Sequence, residues 1–216
     1  ANLLLDEIIE KGLLQANVAY GFWPANTIRE DIILYQNEKR ADELVRFNML
    51  RQQKIRNEVA LSLSDFIAPK NSEIDDYIGA FAVTAGINAK KLSEKYESEN
   101  DDYNSIMVKA IADRLAEAFA ELIHQRVRKE WGFPDEKNIT NEQLLKEKYR
   151  GIRPAFGYPA CPEHSEKEKL FEILEAEKMG ISLTENFAMM PAASVSGLYF
   201  SNLNSKYFSL GEINKS

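Results

Sequence analysis

Asp76-Tyr-Ile-Gly-Ala-Phe-Ala-Val-Thr-Ala85 is a short run, apolar almost throughout and bounded by turn formers. Continuous rather than alternating apolar character is what a strand buried on both faces shows, so this run is expected at the centre of a sheet. Downstream, residues 102–131 are the longest periodic stretch in the chain. Met107, Ile111, Leu115, Ala118, Phe119, Leu122 and Arg126 trace one face of it, all but the last apolar, and Asp113, Glu117, Glu121, His124 and Arg128 the other. A helix this long is expected to lie beneath the sheet and support it.

Working outward, Leu4, Leu5, Ile8, Ile9 and Leu13 fall at helical spacing. Residues 18–23 and 31–35 read as strands around a Pro24-Ala-Asn26 turn, and Val45, Phe47 and Met49 alternate with polar neighbours as a half-buried strand does. Polar helices are expected over 90–99 and 141–148. A further helix over 166–180 would open on a Ser165/Glu168 capping box and bury Leu170, Phe171, Ile173 and Leu174. Gly151 to Pro162 is too rich in proline and glycine to be regular, and 182–189, 194–201 and 206–213 read as three closing strands. Strands, then helices, then strands predict a single α+β domain over 1–216 with a twisted, largely antiparallel sheet.

Composition narrows the function classes. The chain has 216 residues, 44% of them hydrophobic, and a formal net charge of −7. Such an acid balance argues against binding bare nucleic acid, which needs a basic surface to displace counterions. One cysteine, Cys161, and two histidines, His124 and His164, exclude an internal disulfide and the common zinc sites. No run approaches the ~20 apolar residues of a membrane span. The expectation is an acidic, soluble domain of a reducing, cytoplasmic compartment, with no membrane partner. A beginning at Ala1, already in helical pattern, is what an excised or processed piece would show.

Neither GxGxxG after a strand, nor GxxxxGK[ST], nor GxSxG is present, so the usual phosphate-cradling loops and the nucleophile elbow are missing. Glu121-x-x-His124 is half of a di-iron motif without its second half, and reads as a solvated face. Asp113, Glu117 and Glu121 stack along one helix face; they are either solvated or one of them faces a cationic ligand. The most informative stretch is Arg153-Pro-Ala-Phe-Gly157-Tyr158-Pro-Ala-Cys-Pro-Glu-His164. Its prolines stiffen an irregular loop, and an arginine at its head either grips a ligand carboxylate through two parallel hydrogen bonds or pairs with a surface glutamate. In the 188–200 stretch, small residues allow close backbone approach, and Tyr207-Phe208 would place one aromatic in the core and one outside.

Taken in order, Phe22-x-Pro-Ala-Asn26, Leu50-Arg-Gln-Gln53, Asp65-Phe-Ile-Ala-Pro69, the 76–84 run, Asp101-Asp-Tyr-Asn104, 113–121, Arg153-x-x-x-Gly157-Tyr158, Ala193-Ser-Val-Ser-Gly197 and Tyr199-Phe200 resemble the activation domain of cobalamin-dependent methionine synthase. The likeness runs from about Val18 to Leu210. It implies a curved module around a twisted antiparallel sheet that binds S-adenosylmethionine without a Rossmann fold. Carried over, Arg153 would take the ligand carboxylate, with Ala155 and Tyr158 along the adenosine side and Gly157 also among the binding residues. Glu117 would face the ammonium or sulfonium, Glu147 the ribose hydroxyls, and Tyr207 with Phe208 the methionyl group. Asp113 and Glu121 keep the solvated-face assignment. No catalytic acid or base and no metal ligand is expected from this chain.

The resemblance also implies a role. Cob(II)alamin on another module is reduced by an electron from flavodoxin or a flavoprotein reductase, and methyl transfer from S-adenosylmethionine traps it as methylcobalamin, reactivating the methyltransferase. The chain alone would not make methionine. Any docking to an acidic flavodoxin would need a local basic patch such as Arg126, Arg128 and Lys129. The family module carries more chain before the equivalent of Ala1, including a ligand-binding aspartate, so an incomplete site is expected. The alternative is a docking-only domain for the cobalamin module or flavodoxin.

Overall fold

The computed structural model describes residues 2–53, 59–136 and 139–211. Helix α1 (Asn2–Lys11) leads into strands β1 (Gln15–Ile28), β2 (Asp31–Tyr35), β3 (Glu43–Asn48) and β4 (Asp76–Ile87). Helices α2 (Ala89–Ser98), α3 (Asp102–Glu130), α4 (Asn141–Leu145) and α5 (Glu166–Leu174) follow. The two-residue strands β5 (Ser182–Leu183) and β6 (Met189–Met190) and strand β7 (Ser194–Tyr199) complete the described order. The main sheet runs β3-β2-β1-β4-β7, and every pairing in it is antiparallel.

β4 is central, as its apolar run requires, and its side chains alternate between two cores. Ile78, Ala80 and Ala82 join α5 and the 152–161 loop on one side, while Phe81 and Val83 join α3 on the other. α1, α2 and the first half of α3 enclose a third apolar cluster on that second side. The sheet is therefore covered on both faces, which gives the mixed α+β architecture expected.

Several expectations are corrected. β1 runs straight through Pro24-Ala-Asn26, and the chain turns at Arg29-Glu30 instead. Pro24 is tolerated because it pairs with Tyr77 on the β4 side only, one residue before pairing with β2 starts at Ala25↔Leu34. α3 supports the sheet through Val108, Ala112, Ala116, Ala120, Ile123 and Val127, whereas Leu122 is 58% exposed. Alanines let the helix approach the sheet closely, which larger residues at those positions would prevent. The Ser165/Glu168 capping box does not form, because the Ser165 hydroxyl donates to Glu163 Oε1 at 2.8 Å instead. Among the described residues, the boxes that do form are Ser62/Asp65 and Thr140/Gln143. Residues 182–189 are a hairpin of two short strands, not one strand. Lys206 to Gly211 is irregular, and the remainder of that expected strand, to Ile213, lies outside the described residues.

Candidate functional site

The site begins with backbone. Ile152 and Phe200 exchange both hydrogen bonds, at 3.1 and 3.0 Å, and Leu198 N–H donates to Pro154 O at 3.0 Å. The 152–154 segment is thereby laid along the outer edge of β7, and Arg153 is presented at a fixed height beside the sheet. Gly197 makes this possible, since a Cβ there would stand 2.4 Å from Pro154 O. The loop then closes on itself: Gly157 N–H donates to Cys161 O at 2.8 Å and Cys161 N–H to Tyr158 O at 2.9 Å. Gly157 adopts φ +94°, and any Cβ would collide with the His164 ring, so glycine is required there for conformation and for space. Burial pushes the Cys161 thiol up to about 12, and the protonated sulfur donates to Ala155 O at 3.0 Å. Cys161 is thus a packing element of the loop.

Beside this loop lies a cleft of about 600 Å³. Seven of the eight residues singled out from sequence line it: Arg153, Ala155, Tyr158, Glu117, Glu147, Tyr207 and Phe208. Gly157 is not among its lining residues. α3 supplies Glu117, the turn after α4 supplies Glu147, and the 206–211 segment folds over to supply the aromatic pair. That segment is tied down by Leu210 N–H to Pro159 O at 2.9 Å and by Gln52 Nε2–H to Ser209 O at 2.7 Å. Phe208 packs edge-on against Phe66 in the core, while Tyr207 is 43% exposed and faces the cleft.

Arg153 does not stand alone. Its Nη2 donates to Glu121 Oε2 at 3.1 Å, and its backbone N–H donates to the Tyr207 hydroxyl at 3.0 Å. Tyr149 also donates to Glu121 Oε2, at 3.2 Å. Glu121 is therefore not on a solvated face: its side chain is only 20% exposed and it anchors the arginine of the loop. Behind it, Arg128 makes a bidentate pair with Asp135 at 2.6 and 2.7 Å and lies 3.7 Å over the Tyr149 ring. Arg128 is 1% exposed, so it cannot belong to a docking patch; Arg126 is exposed but engaged with Glu130 at 2.8 Å. His124 is likewise buried, stacked on Tyr199 with ring centres 4.8 Å apart.

Burial sets the protonation states here. It pushes His124 down to about 2, with the Arg128 and Arg153 charges acting the same way, so this imidazole is neutral. Burial also raises Tyr207, outweighing the opposing pull of the Arg153 N–H, and keeps the phenol protonated. At Glu147, an exposed residue whose carboxyl meets the cleft wall, desolvation raises the pKa and Glu121 adds to it, against the pull of Arg153. For Arg153, burial opposes the charge but Glu121, Tyr149 and Tyr207 overcome it, and its pKa is raised.

Sequence reasoning missed Glu121, Tyr149 and the Arg128–Asp135 pair. The only signal was that Glu121 and Arg128 share a helix face with Glu117, a face read as solvated. Two other clefts are slightly larger, about 660 Å³ each. In the first, Asp65 is already held bidentately by Arg51; the second is rimmed mainly by glutamates. Neither brings a guanidinium, carboxylates and aromatic faces together as the Arg153 cleft does. Among the described residues no group of three or more His, Cys, Asp or Glu is placed to hold a metal ion, and no helix is long and apolar enough to cross a membrane.

Fold and cleft together define an α+β domain with a ligand-sized site built on a sheet edge and a rigid loop, not on a Rossmann βα turn. The chain belongs to the family of activation domains of vitamin B12-dependent methionine synthase, whose model matches residues 1–216. It is similar to a solved chain described as the MetH reactivation domain bound to AdoHcy, with 49% identity and a TM-score of 0.95. The match covers 98% of this chain and 66% of that one, so the chain spans just under two thirds of its solved relative.

Proposed function

We propose that the Arg153 cleft binds S-adenosylmethionine and presents its methyl group for the reductive remethylation of cobalamin, so that the domain reactivates methionine synthase. The observation that carries this reading is the cleft's composition. A guanidinium suits the ligand carboxylate, two carboxylates suit its ammonium and sulfonium, and the aromatic faces of Tyr158 and Tyr207 suit its adenine and methionyl parts. At about 600 Å³ the cleft falls within the range of small-molecule sites. The solved relative's AdoHcy supports the same ligand class.

Cobalamin, carried by a separate module, would supply the nucleophile that takes the methyl group. This chain's residues bind and orient. Glu121 and the sheet-edge hydrogen bonds hold Arg153 in place before a ligand arrives, so little ordering cost falls on binding. Tyr207, pinned by the Arg153 N–H, closes one side of the cleft. The transfer moves no proton, which is why no general acid or base is assigned. The electron donor would be flavodoxin or a flavoprotein reductase of the reducing cytoplasm, and methionine formation itself would belong to the other modules of a methyltransferase.

Isothermal titration of the chain with S-adenosylmethionine tests the reading. Saturable one-to-one binding is expected, and Arg153→Ala is expected to weaken it by about 2–5 kcal/mol, as removal of one partner from a desolvated charge pair does. Tight binding untouched by that substitution places the ligand elsewhere. No binding and no thermal stabilisation at millimolar ligand leaves a docking-only domain.

A further inference from the structure

Six charged groups touch or back the cleft, and they divide unevenly. Arg153 is matched by Glu121 and Arg128 by Asp135, at ion-pair distances of 3.1 and 2.6 Å. Glu117 and Glu147 line the same space, and neither has an ion pair among the described residues. The one guanidinium lining the cleft is already half spent on Glu121, whereas Glu117 has no ion pair and Glu147 is only partly engaged, by the charge of Arg153 and the Tyr207 hydroxyl. An empty cleft of this kind carries surplus negative charge and favours an occupant with a net positive one.

We infer that Glu117 and Glu147 make this cleft selective for the cationic sulfonium over the neutral thioether it becomes, so that methyl transfer itself loosens the site's hold on the nucleoside. The inference rests on the cleft being the S-adenosylmethionine site. In the transfer, the methyl carbon–sulfur bond breaks with its electron pair staying on sulfur, and the reduced cobalt nucleophile of the partner module donates the pair that forms the new bond to carbon. The nucleoside therefore goes from one carboxylate, one ammonium and one sulfonium to one carboxylate and one ammonium, losing a unit of positive charge. The ammonium can engage one glutamate in both forms, and only the sulfonium engages the second, which gives Glu147 a charge-pairing role in place of the ribose role that the resemblance implied. Both carboxylates belong to exposed residues, so the attraction is screened by water and salt and the preference is graded. Charges about 6 Å apart in a half-wet cleft change affinity by about tenfold.

Three probes titrated calorimetrically into the chain test this: S-adenosylmethionine, S-adenosylhomocysteine, and sinefungin, whose protonated amine replaces the sulfonium. S-adenosylmethionine and sinefungin are expected to bind about tenfold tighter than S-adenosylhomocysteine at low salt. That ratio should shrink toward one at about 0.5 M salt, where the screening length is only a few ångströms. Glu117→Gln or Glu147→Gln, near-isosteric changes at exposed positions, should lower the ratio while S-adenosylhomocysteine still binds. Equal affinities, a thioether preference, or a ratio indifferent to both substitutions overturns the selectivity and leaves the ligand site standing. Failure of all three probes to bind removes the site itself, and the inference with it.

Discussion

From residue 105 to 120, α3 meets the sheet through Val108, Ala112, Ala116 and Ala120, all essentially inaccessible to water. From 121 to 128 it keeps Ile123 and Val127 in that role but adds a buried imidazole and guanidinium, with the half-buried Glu121 carboxylate beside them. The first half is a close, dry contact that small side chains permit. The second half is a polar network in which Glu121 Oε1, His124 Nδ1, Arg128 Nη1, Arg153 Nε and Tyr199 Oη are buried without a hydrogen-bond partner. Unpartnered buried polar atoms cost about 1–3 kcal/mol each unless water reaches them. Apolar residues of similar volume would serve stability as well or better. The difference teaches that one half of the helix holds the fold, while the other backs the cleft and holds Arg153 at some expense in stability.

Three experiments can break or sharpen this contrast. The largest effect is expected from Arg128→Met, which strands the buried Asp135 carboxylate, and should cost about 3–5 kcal/mol in chemical denaturation. Adding Asp135→Leu should recover much of that loss; no recovery would mean that Arg128 acts through packing on Tyr149 instead.

The next effect is a pH dependence. His124 titrates near 2 when folded and near 6.5 when unfolded, with burial the main cause and the Arg128 and Arg153 charges next. Between these values only the unfolded chain takes up the proton, so stability is full above pH 6.5 and falls as pH drops below it. The slope is about 1.4 kcal/mol per pH unit. Glu121, Tyr149 and Tyr199 also face this ring or its neighbours, so the measurement compares wild type with His124→Gln. The substitution should remove that slope, and an unchanged pH profile would contradict a buried neutral imidazole.

The smallest effect is expected at Leu122, whose side chain the helical pattern assigned to the supporting face. Because it projects into solvent, Leu122→Ser should shift stability by less than about 0.5 kcal/mol. A loss of several kcal/mol would restore the face read from sequence.

Legibility followed the same division. β4 declared itself by continuous apolar character, β2 by its bounded apolar run, and α3 by its period, because burial writes directly into residue type. The buried face of α3 was misread because alanines carry little weight in a pattern dominated by Leu, Ile and Phe, although it is alanine that permits contact with the sheet. Pro24 was misread as a turn because nothing local reveals that one side of β1 is unpaired at that residue. In the cleft, the stiff loop was visible as a motif, and Glu117 and the aromatic pair only through the family resemblance. Glu121, Tyr149 and Arg128–Asp135 were not, since a charged residue looks the same in sequence whether water or a partner distant in the chain satisfies it. Resolving that ambiguity took the tertiary fold.

A crystal of the chain soaked with S-adenosylmethionine tests the central claim most directly. The account predicts the nucleoside in the cleft beside Ala155 and Tyr158, its carboxylate on Arg153, and its sulfonium within reach of Glu117 or Glu147. Ligand density in either of the larger clefts, or an Arg153 side chain that stays on Glu121 while the ligand carboxylate points to solvent, would contradict it.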